Sequence, residues 1–155
     1  MKTKINPLLL VLIFLTACSS DPELTKGQIL RNSINELETR FEARKLGQIV
    51  EYISEDYVDE SGRKLPEVKR VIQLQLMRHK KLFILSKIGD IQWQGDEKAI
   101  VQITAALTAQ DVKDIGILPK IRADMVNFTV EFVKQDEVFK VKAATWTWAE
   151  PSDFL

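Results

Sequence analysis

Twenty-two Lys and Arg residues balance 22 Asp and Glu residues in a chain of 155 that has one histidine, one cysteine and 45% hydrophobic residues. That balance excludes a basic nucleic-acid surface, the lone Cys18 excludes an internal disulfide, and the length suits one domain behind a short leader. In chain order the first element is that leader: Lys2 and Lys4, then the apolar run Leu8–Leu15, then small Thr16 and Ala17 before Cys18. This is the layout of a secretory signal. The run is too short for a spanning helix, which needs about 20 apolar residues, and Ser19, Ser20 and Asp21 end it.

The four residues "LTAC" at 15–18 resemble the bacterial lipobox, in which the cysteine sulfur receives a diacylglyceryl group and the cut falls just before it. A buried structural cysteine, or an ordinary signal peptide that happens to contain one, is the bland alternative. The resemblance implies a signal peptide over 1–17, a lipidated Cys18 with a short tether through residue 23, and a single domain over 24–155. Two or more acyl chains give stable anchoring, so the membrane is the first expected partner. Ser19 resembles the outer-membrane sorting pattern, which implies an envelope protein facing the periplasm. Removal of Lys2 and Lys4 with the leader leaves 20 basic and 22 acidic residues, a net charge of −2. The linker "SSDP" reaches about 14 Å when extended, so the domain is expected close to the headgroups.

Asp21-Pro22-Glu23 predicts a helix start, and Leu30, Ile34, Leu37 and Phe41 recur at helical spacing. Gly47 is expected to weaken that helix near its end, with Ile49, Val50 and Ile53 in a continuation or second helix of changed direction. "SEDYVDESG" predicts a short strand or loop closing on a Ser61-Gly62 turn with positive φ at Gly62. Pro66 opens a helix whose Val68, Val71, Ile72, Leu74, Leu76 and Met77 make a broad apolar surface, ending near Leu82.

From Phe83 the period becomes two. A strand over 83–94, the turn "QGDE", and Ala99, Val101, Ile103, Ala105 and Leu107 on one face make a hairpin. After the connection "AQDVKDIGILPK", Val126, Phe128, Val130 and Phe132 alternate with polar residues, "KQDE" turns the chain, and Phe139, Val141 and Ala143 return. The large residues then change phase to Trp146 and Trp148. Either a bulge lies near Ala143-Ala144 or both faces are covered there; the bulge is preferred, because long bent sheets need one.

Helices followed by about four antiparallel strands make an α+β fold, with the N-terminal helices packed on a strongly curved sheet. The order helix, short "DYVD" segment, glycine turn, helix, long meander resembles the nuclear-transport-factor-two-like family, the cystatin-like cone fold, over nearly all of 24–149. The resemblance implies a cone whose wide end can hold a pocket, and a choice between catalysis and binding. In the isomerase branch a general base follows the second helix, and Asp59 in "YVDESG" matches it. The first helix offers Phe41 rather than a tyrosine for an oxyanion, and the only aspartate inside a late strand is Asp124, near its start. A solvated turn carboxylate is the competing reading of Asp59.

His79, the only histidine, lies near the apolar stripe of the third helix beside Arg78, Lys80 and Lys81, where positive charge suits a helix C-terminus. Alone it makes neither a metal site nor a nucleophilic pair; no metal or cofactor is expected. Tyr52, Tyr57, Trp93, Trp146 and Trp148 are the candidates for a ligand or partner surface, against plain packing. Ile115, Ile117 and Leu118 are apolar in a connection expected to be wet, where they would cap the cone mouth or touch a membrane or partner. The expectation is therefore a lipid-anchored, non-catalytic envelope domain that binds a small apolar ligand or an envelope protein. The alternative is an isomerase- or dehydratase-type enzyme using Asp59.

Overall fold

The computed structural model describes residues 23–155; Cys18, the apolar run before it and the tether through Pro22 lie outside the described residues. Three helices precede a sheet: α1 (Lys26–Glu42), α2 (Leu46–Val50) and α3 (Leu65–Arg78). The strands β1 (Phe83–Trp93), β2 (Lys98–Thr108), β3 (Ala123–Gln135) and β4 (Val138–Trp148) form an antiparallel meander in the order β1-β2-β3-β4. No helix among the described residues is long and apolar enough to cross a membrane.

Helix α1 starts later than the Asp21-Pro22 signal predicts, because Thr25 caps it instead. Its hydroxyl accepts from the Gln28 amide at 3.3 Å, and Gln28 Oε1 accepts from the Thr25 amide at 2.8 Å, which closes a capping box. Its end also differs from expectation. Arg44 adopts φ 59° just beyond the Ala43 cap, so the chain turns there and Gly47 sits inside α2 rather than weakening α1. Helix α3 closes at Arg78 with His79 as its C-cap, before Leu82. Only Ile72 and Leu76 of its apolar set are buried, with Leu65 and Val68 partly so; Val71, Leu74 and Met77 are exposed. The broad apolar surface is therefore a narrow inward stripe, in which Ile72 and Leu76 join the core and Val71, Leu74 and Met77 do not.

The inner face of the sheet carries Ala99, Val101, Ile103, Val130, Phe132, Phe139 and Val141, which pack with Leu30, Ile34, Ile49, Ile53, Ile72 and Leu76 of the helical layer. Two irregularities bend it. In β1, Gly89 and Asp90 lie opposite the single residue Gln102. In β4, Val141 pairs with Phe132 and Ala143 with Glu131, so Lys142 is the extra residue. This bulge, one residue before the expected position, explains the phase change: Phe139 and Val141 before it, and Ala144, Trp146 and Trp148 after it, all face inward.

The outer face carries a second, smaller core. Val112 and Leu118 from the 109–122 connection and Phe154 near the C-terminus bury against Ala106, with Leu85, Met125, Ile115 and Ile117 around them. The "DIGILP" segment is thus neither a lid on the mouth nor a wet loop: it forms a 3-10 turn over Ile115–Lys120 on the back of the sheet.

Candidate functional site

Both hairpin turns lie at one end of the sheet, and the end of β4 lies at the other. At this open end the 57–63 segment folds back against β4. Val58 donates to the Lys142 carbonyl at 3.2 Å, and a bridge joins Val58 to Lys64. The reversal needs a left-handed residue, supplied by Gly62 at φ 71° with its amide donating to the Asp59 carbonyl at 2.9 Å. A Cβ there would meet open space, so backbone conformation alone selects glycine.

Asp59 organises this turn. Its Oδ1 accepts from the amides of Ser61 at 2.9 Å and Arg63 at 3.0 Å, and its Oδ2 accepts from Arg63 Nε at 2.7 Å and the Tyr57 hydroxyl at 3.4 Å. Only 2% of its side chain is exposed, which corrects the expectation of a solvated turn carboxylate. Burial pushes the carboxyl upward, but the Arg63 amide and guanidinium and the Ser61 amide outweigh it and hold Asp59 below the usual carboxylate value. Tyr57 is buried beneath it and shifts the other way, raised by burial and then by the Asp59 charge.

Beside this turn, Asp59, Glu60, Ser61, Arg63, Ala144, Thr145 and Trp146 line a cleft of about 130 Å³. Trp146 and Trp148 are 49% and 70% exposed, with rings 5.3 Å apart at 82°. Cross-strand from them are Phe128 and Val126. The indoles are thus the uncovered continuation of the inner face, beyond the reach of the helices.

The other two aromatic candidates lie elsewhere. Trp93 packs edge-on against Phe139 at 5.8 Å with Lys26 Nζ above it at 4.8 Å, near the hairpin end. Tyr52 follows α2 and lies under the Arg40 guanidinium at 4.4 Å. Of the five aromatics, Tyr57, Trp146 and Trp148 share the open end, while Tyr52 and Trp93 do not.

Three further features escape a reading of the sequence. Arg63 completes the Asp59 turn, and the only signal is its spacing of four across a glycine. His79 Nε2 lies 3.5 Å from Asp124 Oδ2, a pair 45 positions apart that only the docking of α3 brings together. Its chemistry is that of an imidazole held by a carboxylate, with no nucleophile joined to it among the described residues. Glu38 of α1 is raised by burial, despite a Ser86 hydrogen bond that lowers it, and Glu42 raises it further; its place four residues after buried Ile34 was the available clue. Among the described residues no three His, Cys, Asp or Glu side chains are grouped to hold a metal ion.

No known family model matches the chain, and no curated protein matches it. Solved structures do. A putative scytalone dehydratase from Novosphingobium aromaticivorans superposes with a TM-score of 0.65 at 10% identity, over 81% of this chain and 85% of that one. An NTF2-like protein from Cytophaga hutchinsonii gives 0.56 at 10% identity, over 81% of this chain and all of that one. Bd1075 of Bdellovibrio bacteriovorus gives 0.59 at 9% identity, and there the match spans 77% of this chain but only 39% of the other. At these identities the likeness is one of fold: the chain has the nuclear-transport-factor-two-like, cystatin-like cone architecture, helices first and then a curved four-stranded antiparallel sheet.

Proposed function

We propose that this chain is a lipid-anchored domain of the bacterial envelope, exported by residues 1–17 and held by lipidated Cys18 on the periplasmic side of the outer membrane, which binds a partner without catalysing a reaction. The observation that carries the binding reading is the exposed pair Trp146 and Trp148. Two indoles left half or more exposed on the face that elsewhere forms the core are what a partner would cover. Drug-sized ligands occupy pockets of about 300–1,000 Å³, and the cleft beside Trp146 is about 130 Å³. At the indole pair a protein partner therefore fits better than an enclosed apolar ligand, and the roomier groove of about 510 Å³ at the hairpin end is lined mainly by charged Glu23, Lys26, Asp96, Lys134 and Glu137.

The isomerase- or dehydratase-type alternative asks Asp59 to take a proton near neutral pH. A general base needs a free lone pair aimed at substrate and a value near the working pH. Asp59 has two donors on each oxygen and is shifted downward, which weighs against that role.

Two variants test the proposal. Cys18→Ser removes the thiol, and palmitate labelling and membrane association should both disappear; equal labelling of the variant would sink the anchor. Trp148→Ala should leave Tm within about 3 °C of the parent, as for a surface substitution, yet fail to complement a deletion strain. Full complementation by a well-folded Trp148→Ala protein would remove the indole pair from the function.

A further inference from the structure

Past Ala144 the last strand has an open edge. Its earlier part is covered: Val141 donates to the Tyr52 carbonyl at 2.8 Å and accepts from Ser54 at 2.9 Å, and Val58 donates to the Lys142 carbonyl. The Ala144 amide acts on the Tyr57 phenol, lowering it against the upward push of burial. Beyond that no segment among the described residues pairs its backbone with the edge, and the 59–63 turn stands across a cleft from Trp146. The Ala149 amide donates to Met125 on β3 at 2.9 Å, and the register continues as Thr147 with Asn127 and Thr145 with Thr129. In an antiparallel ladder alternate residues point their backbone groups to opposite sides. Trp146 and Trp148 therefore turn their N–H and C=O groups to the open edge while their indoles stand on the inner face. Next to them is Arg63, whose Nε is committed to Asp59 and whose terminal nitrogens have no partner among the described residues. Its side chain is 39% exposed and lines the cleft with Trp146.

We infer that this edge is a strand-addition site for an extended segment of another protein, one carrying a carboxylate next to an apolar side chain. The segment's backbone pairs with Trp146 and Trp148, its inward side chain packs on the two indoles, and its carboxylate meets the Arg63 guanidinium. Backbone pairing supplies affinity and the side-chain contacts supply selectivity in such augmentation. Asp59 holds the guanidinium in place, so an arriving carboxylate finds it already oriented.

The position of the tether selects this occupant over two others. The chain enters the domain at the hairpin end, where Lys26 Nζ binds Asp96 at 2.8 Å and Glu23 and Leu24 share a groove with Lys134 and Glu137. Strand β4 runs from that end at Val138 to Trp148, about 30 Å away at roughly 3.3 Å per residue. Residues 18–22 span at most about 17 Å. On the reading of Cys18 as the anchor, the hairpin end faces the lipid and the indoles face away from it. Neither the tether nor the bilayer that holds it then reaches the edge, and a separate protein on the aqueous side does.

The test uses the full-length protein in detergent micelles and a random twelve-residue peptide library displayed on phage. Selected sequences should alternate apolar and polar residues around an Asp or Glu. A synthetic peptide of the consensus should shift the Trp146 and Trp148 amide resonances and slow their hydrogen exchange about tenfold or more. Replacing its acid by the amide should weaken binding about tenfold with the parent protein and leave binding to Arg63→Gln unchanged; Trp148→Ala, remote from the buried turn, should weaken both peptides. Equal binding of a peptide N-methylated at alternate positions would overturn strand addition. So would a concentration-dependent dimer abolished by Trp148→Ala, since the occupant would then be a second copy. Quenching of the two indoles by brominated phospholipid in phosphatidylethanolamine–phosphatidylglycerol vesicles would overturn the orientation. Because peptide binding in micelles does not depend on Cys18, its failure is distinct from a failure of palmitate labelling.

Discussion

Asp59 stands where the sequence resemblance places a catalytic base, and in the structure its carboxylate is held by Arg63 and the backbone of its own turn. Its four acceptor contacts come from Tyr57, Ser61 and Arg63, all within four residues. Asp59→Asn would put an amide donor against Arg63 Nε, and hydrogen bonds to charged groups contribute about 1.5–3 kcal/mol. With Arg63 partly solvated, a loss of about 2 kcal/mol is expected by urea unfolding. The pH dependence has a definite sign. Because the folded carboxyl is depressed, its contribution is fully present above the unfolded value near pH 4 and is lost as pH falls through the folded value. The stability gap between parent and Asp59→Asn should therefore be constant from pH 5 to 7 and shrink below pH 4. A gap that instead widened in acid would mean that Asp59 is protonated in the native state. The residues at this turn were legible singly: "DESG" announced a turn and Gly62 its positive φ. Its burial was not, because burial depends on β4 passing over it.

At the scale of elements, local chemistry placed most boundaries and tertiary docking moved the rest. The β3–β4 hairpin closes through Asp136 and Glu137 at φ 51° and 62°, the two left-handed positions of a type I′ turn. Asp tolerates that region, and Glu does not. Glu137→Gly should stabilise the protein by about 0.5–1 kcal/mol, since the exposed Lys134–Glu137 ion pair it removes is worth little; a fall in Tm would show that the ion pair or the turn geometry had been misjudged. Strand alternation was readable from sequence because one face of each strand is buried, and the phase change at Trp146 correctly announced a bulge. Helix α3 was less readable. Its Val71, Leu74 and Met77 continue the apolar pattern on a side that the sheet does not cover, and composition cannot say which flank of a marginal helix a sheet will reach.

For the whole molecule the deciding feature is that the sheet is covered on both faces, unequally. The helices cover the inner face near the hairpin turns, and the 109–122 connection with Phe154 covers part of the outer face. Phe154→Ala should cost about 3–5 kcal/mol, as for a buried phenylalanine, although it is the penultimate residue; a chemical-unfolding shift below about 1 kcal/mol would show that the outer core is not cooperative with the inner one. Leu118→Ala in the same protein should be non-additive with it, because the two side chains share one cluster. The sequence by itself determined the order of elements, the strand faces, the bulge and the α+β class, since each is written in local periodicity and turn chemistry. The four residues "LTAC" that resemble a lipobox lie outside the described residues. Only the tertiary structure decided that Ile115, Ile117 and Leu118 lie on the back of the sheet, that His79 meets Asp124, that Asp59 is spent on Arg63, and that two indoles remain uncovered. Each of these depends on what another, distant segment leaves exposed, and no local pattern encodes the absence of a neighbour.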